Sequence, residues 1–151
     1  MTMQLGFKKL HHEAILPRRW SDEAVGWDVH ACLVSETGRS NTAIIPTRNT
    51  RNISTGLLIE PPPGYCVIVA SRSGLAAKSL WVANAPGIID PDYRGELRVL
   101  LYNGGLEAYY VRHQERIAQI FLYPVTPTTV VELAELSQTN RGASGIGSTG
   151  A

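Results

Sequence analysis

Residues 53–70, ISTGLLIEPPPGYCVIVA, decide the fold. Two apolar runs, Ile53 to Ile59 and Tyr65 to Ala70, are separated by Glu60-Pro61-Pro62-Pro63-Gly64. Successive prolines fix φ and push each preceding residue out of the helical region, so helix is excluded on both sides of this stiff turn. The segment reads as two strands joined by a turn. Working outward, Leu5 to Leu10 reads as a first strand, followed by a polar loop through Pro17-Arg18-Arg19. From Val25 the residues alternate, with Val25, Trp27, Val29 and Ala31 on one face and Gly26, Asp28, His30 and Cys32 on the other. Asp28 is thus expected to point away from the core. Residues 35–42, SETGRSNT, read as a loop, and Ile44-Ile45-Pro46 as a short buried or edge segment. Leu80 to Asn84 and Ile88-Ile89 flank Ala85-Pro86-Gly87, whose proline and glycine suit a type II turn, so a hairpin is expected there. Leu97 to Tyr102, Tyr109 to Val111 and Ile117 to Val125 complete the strands. The only helical signal is GLAAKS after Ser73. An all-β fold, a jelly-roll-like barrel or sandwich with one short helix, is the economical architecture.

A chain of 151 residues with 44% hydrophobic content fits one domain with a real core. Nine prolines and fourteen glycines interrupt it too often for long helices. The formal net charge of +1 argues against a surface coated for nucleic acid, so any anion must be met by a local site. Cys32 and Cys66 are too few for a disulfide framework and read as buried free thiols. The opening MTMQLGFKK lacks an apolar signal core, and no run approaches the roughly 20 apolar residues needed to span a bilayer. Neither a membrane nor a nucleic acid is an expected partner. After Ser137 the apolar pattern disappears, which divides a body, residues 1–136, from a tail, residues 137–151.

Residues 87–96, GIIDPDYRGE, carry the densest chemistry. Asp90 follows two β-branched residues and should stand where a rigid strand ends and the backbone bends. Arg72-Ser73-Gly74 falls where a strand gives way to the short helix. Ser73 suits an N-cap and Arg72 carries planar donors that match phosphate oxygens, so the pair serves equally as a structural cap or a phosphate site. No His/Cys pair has zinc-ligand spacing, and His11-His12 reads as a solvated surface pair.

Read together, GWDVHA at 26–31, SRSGLA at 71–76, GIIDPDYRGE, RIAQ at 116–119 and RGASGIGSTG at 141–150 resemble, in this order, the motif set of the deoxyuridine triphosphatase (dUTPase) family. The resemblance runs from about Val25 to the C-terminus. It implies a β-clip body whose C-terminal tail is exchanged between the subunits of a homotrimer, and hydrolysis of dUTP to dUMP and pyrophosphate. Asp90 is then the general base that aims a water at the α-phosphorus. An aspartate of ordinary pKa is already ionised at neutral pH and needs positioning more than tuning. Arg72, Ser73 and Gly74 resemble the cradle for the α- and β-phosphates. Asn84, with Gly87, Ile88 and Ile89, resembles the slot that reads uracil. Tyr93 matches the tyrosine that packs on the sugar and excludes a 2′-hydroxyl, although by spacing alone it is equally a turn tyrosine. Arg98 and Gln119 join the substrate contacts, and Asp28 and Gln119 would meet Mg2+ through its water molecules. Arg141, Ile146, Gly147, Ser148, Thr149 and Gly150 resemble the lid that closes over the γ-phosphate. Such an enzyme is expected in the cytoplasm, or in the nucleus for a eukaryotic or viral source.

Three positions depart from the family pattern. Ile146 stands where the lid normally carries an aromatic over the uracil. His113-Gln114-Glu115 replaces a Pro-Gly type of turn before RIAQ. Trp27 precedes the motif aspartate where a smaller residue is common. Two rival readings are a dCTP deaminase or bifunctional deaminase-triphosphatase on the same scaffold, and a nucleotide-binding regulatory protein. Asp90 with Tyr93 favours hydrolysis at phosphorus over the deaminase, which needs a proton-shuttling glutamate at the pyrimidine.

Overall fold

The computed structural model describes residues 3–34 and 41–145. Ten strands and one helical turn follow in the order β1 (Gly6–Lys9), β2 (Trp27–His30), β3 (Thr42–Ile45), β4 (Asn49–Glu60), β5 (Tyr65–Ala70), α1 (Ser73–Ala76), β6 (Leu80–Val82), β7 (Gly87–Ile89), β8 (Glu96–Asn103), β9 (Tyr109–Arg112) and β10 (Arg116–Pro124). They form two four-stranded sheets, β1-β4-β8-β6 and β2-β10-β5-β7, and a two-stranded ribbon, β3-β9. Every pairing is antiparallel. The expected all-β class with one short helix is what forms.

Strand alternation builds the core between the sheets. Along β8, Leu97, Val99 and Leu101 are buried while Glu96, Arg98 and Leu100 take the opposite face. Ile45, Ile53, Ile59, Val67, Ile117 and Ile120 meet the inward row. Each such fully buried side chain contributes about 1.5–3 kcal/mol relative to exposure. The buried polar groups on this path are paired: Thr55 Oγ1 donates to Leu97 O at 2.5 Å, and Asn103 Nδ2 to Ile45 O at 2.9 Å. Both cysteines are buried and free, as expected.

The β4–β8 register slips between Ser54 and Leu58, and Gly56 sits in the slip at φ +65°. A Cβ there would lie 2.9 Å from Cys32 Sγ and 3.1 Å from Ala14 Cβ, so conformation and space both require glycine.

Three local expectations fail. Leu80 to Ile89 is not a hairpin, because β6 pairs with β8 in one sheet and β7 with β5 in the other. The intervening stretch crosses between sheets, and its Ala85–Pro86 peptide is cis rather than the trans bond of a type II turn. Ser73 is the first residue of α1, not its cap; Arg72 holds the N-cap position, with no side-chain capping bond. Val25 is 73% exposed, because β2 begins only at Trp27 and the alternation projected back from it has no strand to act on.

Candidate active site

Where β7 ends beside the outward face of β8, a cavity of about 300 Å³ opens. Its lining brings together Asn84, Gly87, Ile88, Ile89, Asp90, Tyr93 and Arg98, all singled out from sequence, and adds Asn52, Val69, Val82, Glu96 and Leu100. The strand pattern explains the additions. Glu96, Arg98 and Leu100 share one face of β8, and Asn52 lies opposite Leu100 on β4. The alternation in GELRVLL could have flagged Glu96; nothing in the sequence marks Asn52.

The order of the sheet gives the cavity its polar edge. β7 is a terminal strand, bonded to β5 on one side only, so its other backbone edge is unpaired among the described residues. Gly87 keeps that edge close to Asn84: a Cβ on it would lie 3.3 Å from Asn84 Nδ2 and 3.3 Å from Val69 Cβ. Asp90 stands exposed just past the end of β7, and its carbonyl accepts from the Tyr93 N–H at 3.1 Å to close the turn. The Tyr93 ring lies across Gly95 with its hydroxyl donating to Glu96 O at 2.9 Å, and the residue remains 43% exposed. Tyr93 is therefore a rim residue and not part of the core.

Glu96 is the most heavily bonded group in the lining. Its Oε1 accepts from Ser54 Oγ and from the Gly56 N–H at 3.0 Å, and its Oε2 from Arg98 NH1 at 2.7 Å. Burial alone would raise this carboxyl, but the bonds from Ser54, Gly56 and Arg98 outweigh it and hold the group below the ordinary glutamate range.

A second cluster forms on the other sheet. β10 pairs Gln119 with Asp28 on one side and with Ala70 on the other, which sets Asp28, Gln119 and the Ser71-Arg72 segment in one row. Arg72 Nε donates to Asp28 Oδ1 at 3.0 Å and Arg116 NH1 to Asp28 Oδ2 at 3.1 Å. Gln119 Nε2 donates to Ser71 O at 3.0 Å. The guanidinium carbons of Arg18 and Arg116 stand 4.3 and 4.7 Å from the centre of the Trp20 ring. Asp28 does lie off the core, but at 13% side-chain exposure it is enclosed by arginines rather than solvated. Nearby His30 is buried, which pushes its pKa down; Asp28 pulls the other way and Arg116, Arg72 and Arg18 add to the fall.

Ser73 and Gly74 stand exposed at the start of α1. The cavity lining contains none of Arg72, Ser73, Gly74 or Gln119. Arg141 is exposed in the tail, its Nε bonded to Ser144 O at 3.0 Å. Ile146, Gly147, Ser148, Thr149 and Gly150 lie outside the described residues. Among the described residues, no three His, Cys, Asp or Glu side chains converge as a metal site, and no helix is long and apolar enough to cross a membrane.

Residues 12–150 match the family model for dUTPase. The chain belongs to the dUTPase family. It is 44% identical to the deoxyuridine 5′-triphosphate nucleotidohydrolase of Nautilia profundicola, covering 98% of this chain and 99% of that protein. The Helicobacter hepaticus protein of the same name is 38% identical over 98% of this chain and 89% of its own. The dUTPase fold extends to bacteriophage. A mutant of the Staphylococcus bacteriophage 80alpha dUTPase, solved with dUpNHpp, superposes at a TM-score of 0.87 with 24% identity over 99% of this chain and all of that one. A mutant of the phage phi11 dUTPase, which coordinates a structural Mg(II) ion, superposes at 0.78 with 19% identity, covering 90% of this chain and all of that one.

Proposed function

We propose that the chain hydrolyses dUTP to dUMP and pyrophosphate. The observation that carries this reading is the cavity at the end of β7, which joins an unpaired strand edge, an amide and an exposed aspartate within one lining. The Asn84 amide offers both a donor and an acceptor, and the free edge of Gly87–Ile89 adds backbone donors and acceptors. Together they suit uracil and mismatch cytosine, and thymine is expected to be excluded by its methyl. A lost buried hydrogen bond discriminates strongly, whereas a methyl is worth only about 1–3 kcal/mol unless it meets a rigid wall. Tyr93 stands on the sugar side and excludes a 2′-hydroxyl. Asp90 accepts a proton from water as its oxygen bonds to the α-phosphorus, and the bond to pyrophosphate breaks.

The arginine cluster on the other sheet supplies the charge for the triphosphate. Because Arg72, Ser73, Gly74 and Gln119 stand outside the cavity lining, a complete site draws them from a neighbouring copy, as in a homotrimer. The course of the tail supports this. Val125 N–H bonds to Gly64 O at 2.8 Å, and residues 125–145 beyond it are exposed, Val130 at 95%. An extended chain covers about 3.3 Å per residue, enough for this segment to reach a second subunit.

Mg2+ is compatible with both expected partners, each through a water molecule. Each Asp28 oxygen accepts one bond from a guanidinium and keeps a lone pair that could take a metal-bound water, so Asp28 can hold Arg72 and Arg116 and still serve the ion. Gln119 Oε1 receives no hydrogen bond from the described residues and suits a water on an ion carried by the phosphates. Bound there, the ion would offset charge on the leaving pyrophosphate. Glu96 counts against a deaminase: both its oxygens are engaged and the group is held ionised, unsuited to carrying protons at the ring.

The test is pyrophosphate release with magnesium from dUTP beside dCTP, dTTP and UTP. Release from dUTP alone is expected. Ammonia from dCTP would identify a deaminase, and tight dUTP binding without turnover a regulatory protein.

A further inference from the structure

We infer that Glu96 is a positioning residue that aims Arg98 into the cavity, and that its two carboxylate oxygens divide this task from a purely structural one. The inference rests on the reading of the cavity as the dUTP site. Residues two apart on a strand project from the same face, so Glu96 and Arg98 stand side by side on the cavity face of β8. Oε2 holds the Arg98 guanidinium through NH1 at 2.7 Å, and the arginine is otherwise half exposed at the cavity wall. Oε1 faces the other way, taking the Ser54 hydroxyl and, at 3.0 Å, the Gly56 N–H. These are the residues of the β4 register slip, whose extra backbone donor the carboxylate satisfies. The anchor is rigid because it is bonded to β4, and Arg98 inherits that rigidity. A long cation held before the ligand arrives loses less rotamer freedom on binding.

Because the oxygens act separately, they can be tested separately. Glu96→Gln keeps an amide oxygen for Ser54 and Gly56 but turns an N–H₂ toward the guanidinium, releasing Arg98 while preserving the slip. Glu96→Ala removes both and serves as the variant in which folding also suffers. Arg98→Met removes the charge and keeps the stem. KM and kcat for dUTP and the melting temperature are measured for wild type, each single variant and the Glu96→Gln/Arg98→Met double variant.

Glu96→Gln is expected to raise KM about three- to tenfold with kcat unchanged within about twofold, the signature of lost uniform binding. In the Arg98→Met background it is expected to do nothing further, because the two side chains act as one unit. An additive double variant, an unchanged KM, or a KM that falls because Glu96 had competed with substrate for the arginine would overturn the inference. An Arg98→Met variant with wild-type kinetics would overturn it too, while leaving dUTP hydrolysis standing. A wild-type protein inert toward dUTP would instead remove the reading of the site on which it rests.

Discussion

Replacing Gly95 by alanine tests whether Tyr93 forms the sugar wall, because the geometry separates the effect on the site from the effect on the fold. An alanine Cβ would lie 2.4 Å from Tyr93 Oη and 2.5 Å from Cζ. Ordinary contact begins near 3.4 Å, so the ring must retreat by about 1 Å. Gly95 is not among the positive-φ glycines, so the backbone accepts alanine without strain. Moving the ring breaks the 2.9 Å bond from the hydroxyl to Glu96 O. A net hydrogen bond is worth about 0.5–1.5 kcal/mol, and the half-exposed ring has solvent to move into. For a chain of this size that corresponds to a fall in melting temperature of about 1–6 °C. Catalysis is more demanding, since a misplacement of about 1 Å can cost up to about 100-fold. Gly95→Ala is therefore expected to lower kcat/KM for dUTP by about ten- to 100-fold and to narrow the preference for dUTP over UTP. Tyr93→Phe, which loses the hydroxyl bond but keeps the ring in place, should show the stability loss without the change in preference. Steady-state kinetics on both nucleotides and thermal melts of the three proteins provide the comparison. A Gly95→Ala protein with reduced stability but unaltered efficiency and preference would show that the ring does not meet the sugar.

The other cluster, Glu96 and the lid each offer a test. Asp28→Asn should destabilise the fold by about 1.5–3 kcal/mol in chemical denaturation, because two guanidiniums lose one charged acceptor; a change below about 0.5 kcal/mol would contradict the pairing. Glu96 has its carboxyl pulled below the ordinary range by its partners, so its contribution to stability is complete above the unfolded-state pKa of glutamate and is lost as pH falls through the lower folded value. Melting temperatures from pH 7 to pH 3 should accordingly fall more steeply for wild type than for Glu96→Gln, and parallel curves would refute this. Ile146→Phe should restore base stacking and tighten the KM for dUTP by about fivefold, the equivalent of about 1 kcal/mol; an unchanged KM and turnover would mean that Ile146 does not cover the base.

The sequence carried the strands well wherever a strand faces the core, because burial imposes a two-residue period. Tyr65 to Ala70 is the clearest case: its bounds are those of β5. Pattern loses its hold where pairing, not burial, sets the geometry. Asn49 to Asn52 extend β4 by four residues of exposed, mostly polar chain, held by β8 and invisible to an apolar count. The supposed hairpin failed for the same reason, since the Pro-Gly dipeptide marks a bend without saying which sheet receives each arm. For the site, residues contiguous along β7 and its turn were readable together. Asp28 shows the limit: its alternation placed it off the core, but the arginines that enclose it come from Arg72 and Arg116, distant in sequence. Asn52 enters the cavity through register alone, opposite Leu100, whereas Glu96 follows from the alternation along β8.

Asp90→Asn tests the central claim most directly, with turnover of dUTP and binding of a non-hydrolysable dUTP analogue measured on the same protein. The amide has the same shape but cannot accept the proton of the attacking water. Turnover should fall by about 10²–10⁴-fold while analogue affinity stays within about threefold of wild type. An Asp90→Asn protein that cleaves dUTP at the wild-type rate would contradict the account.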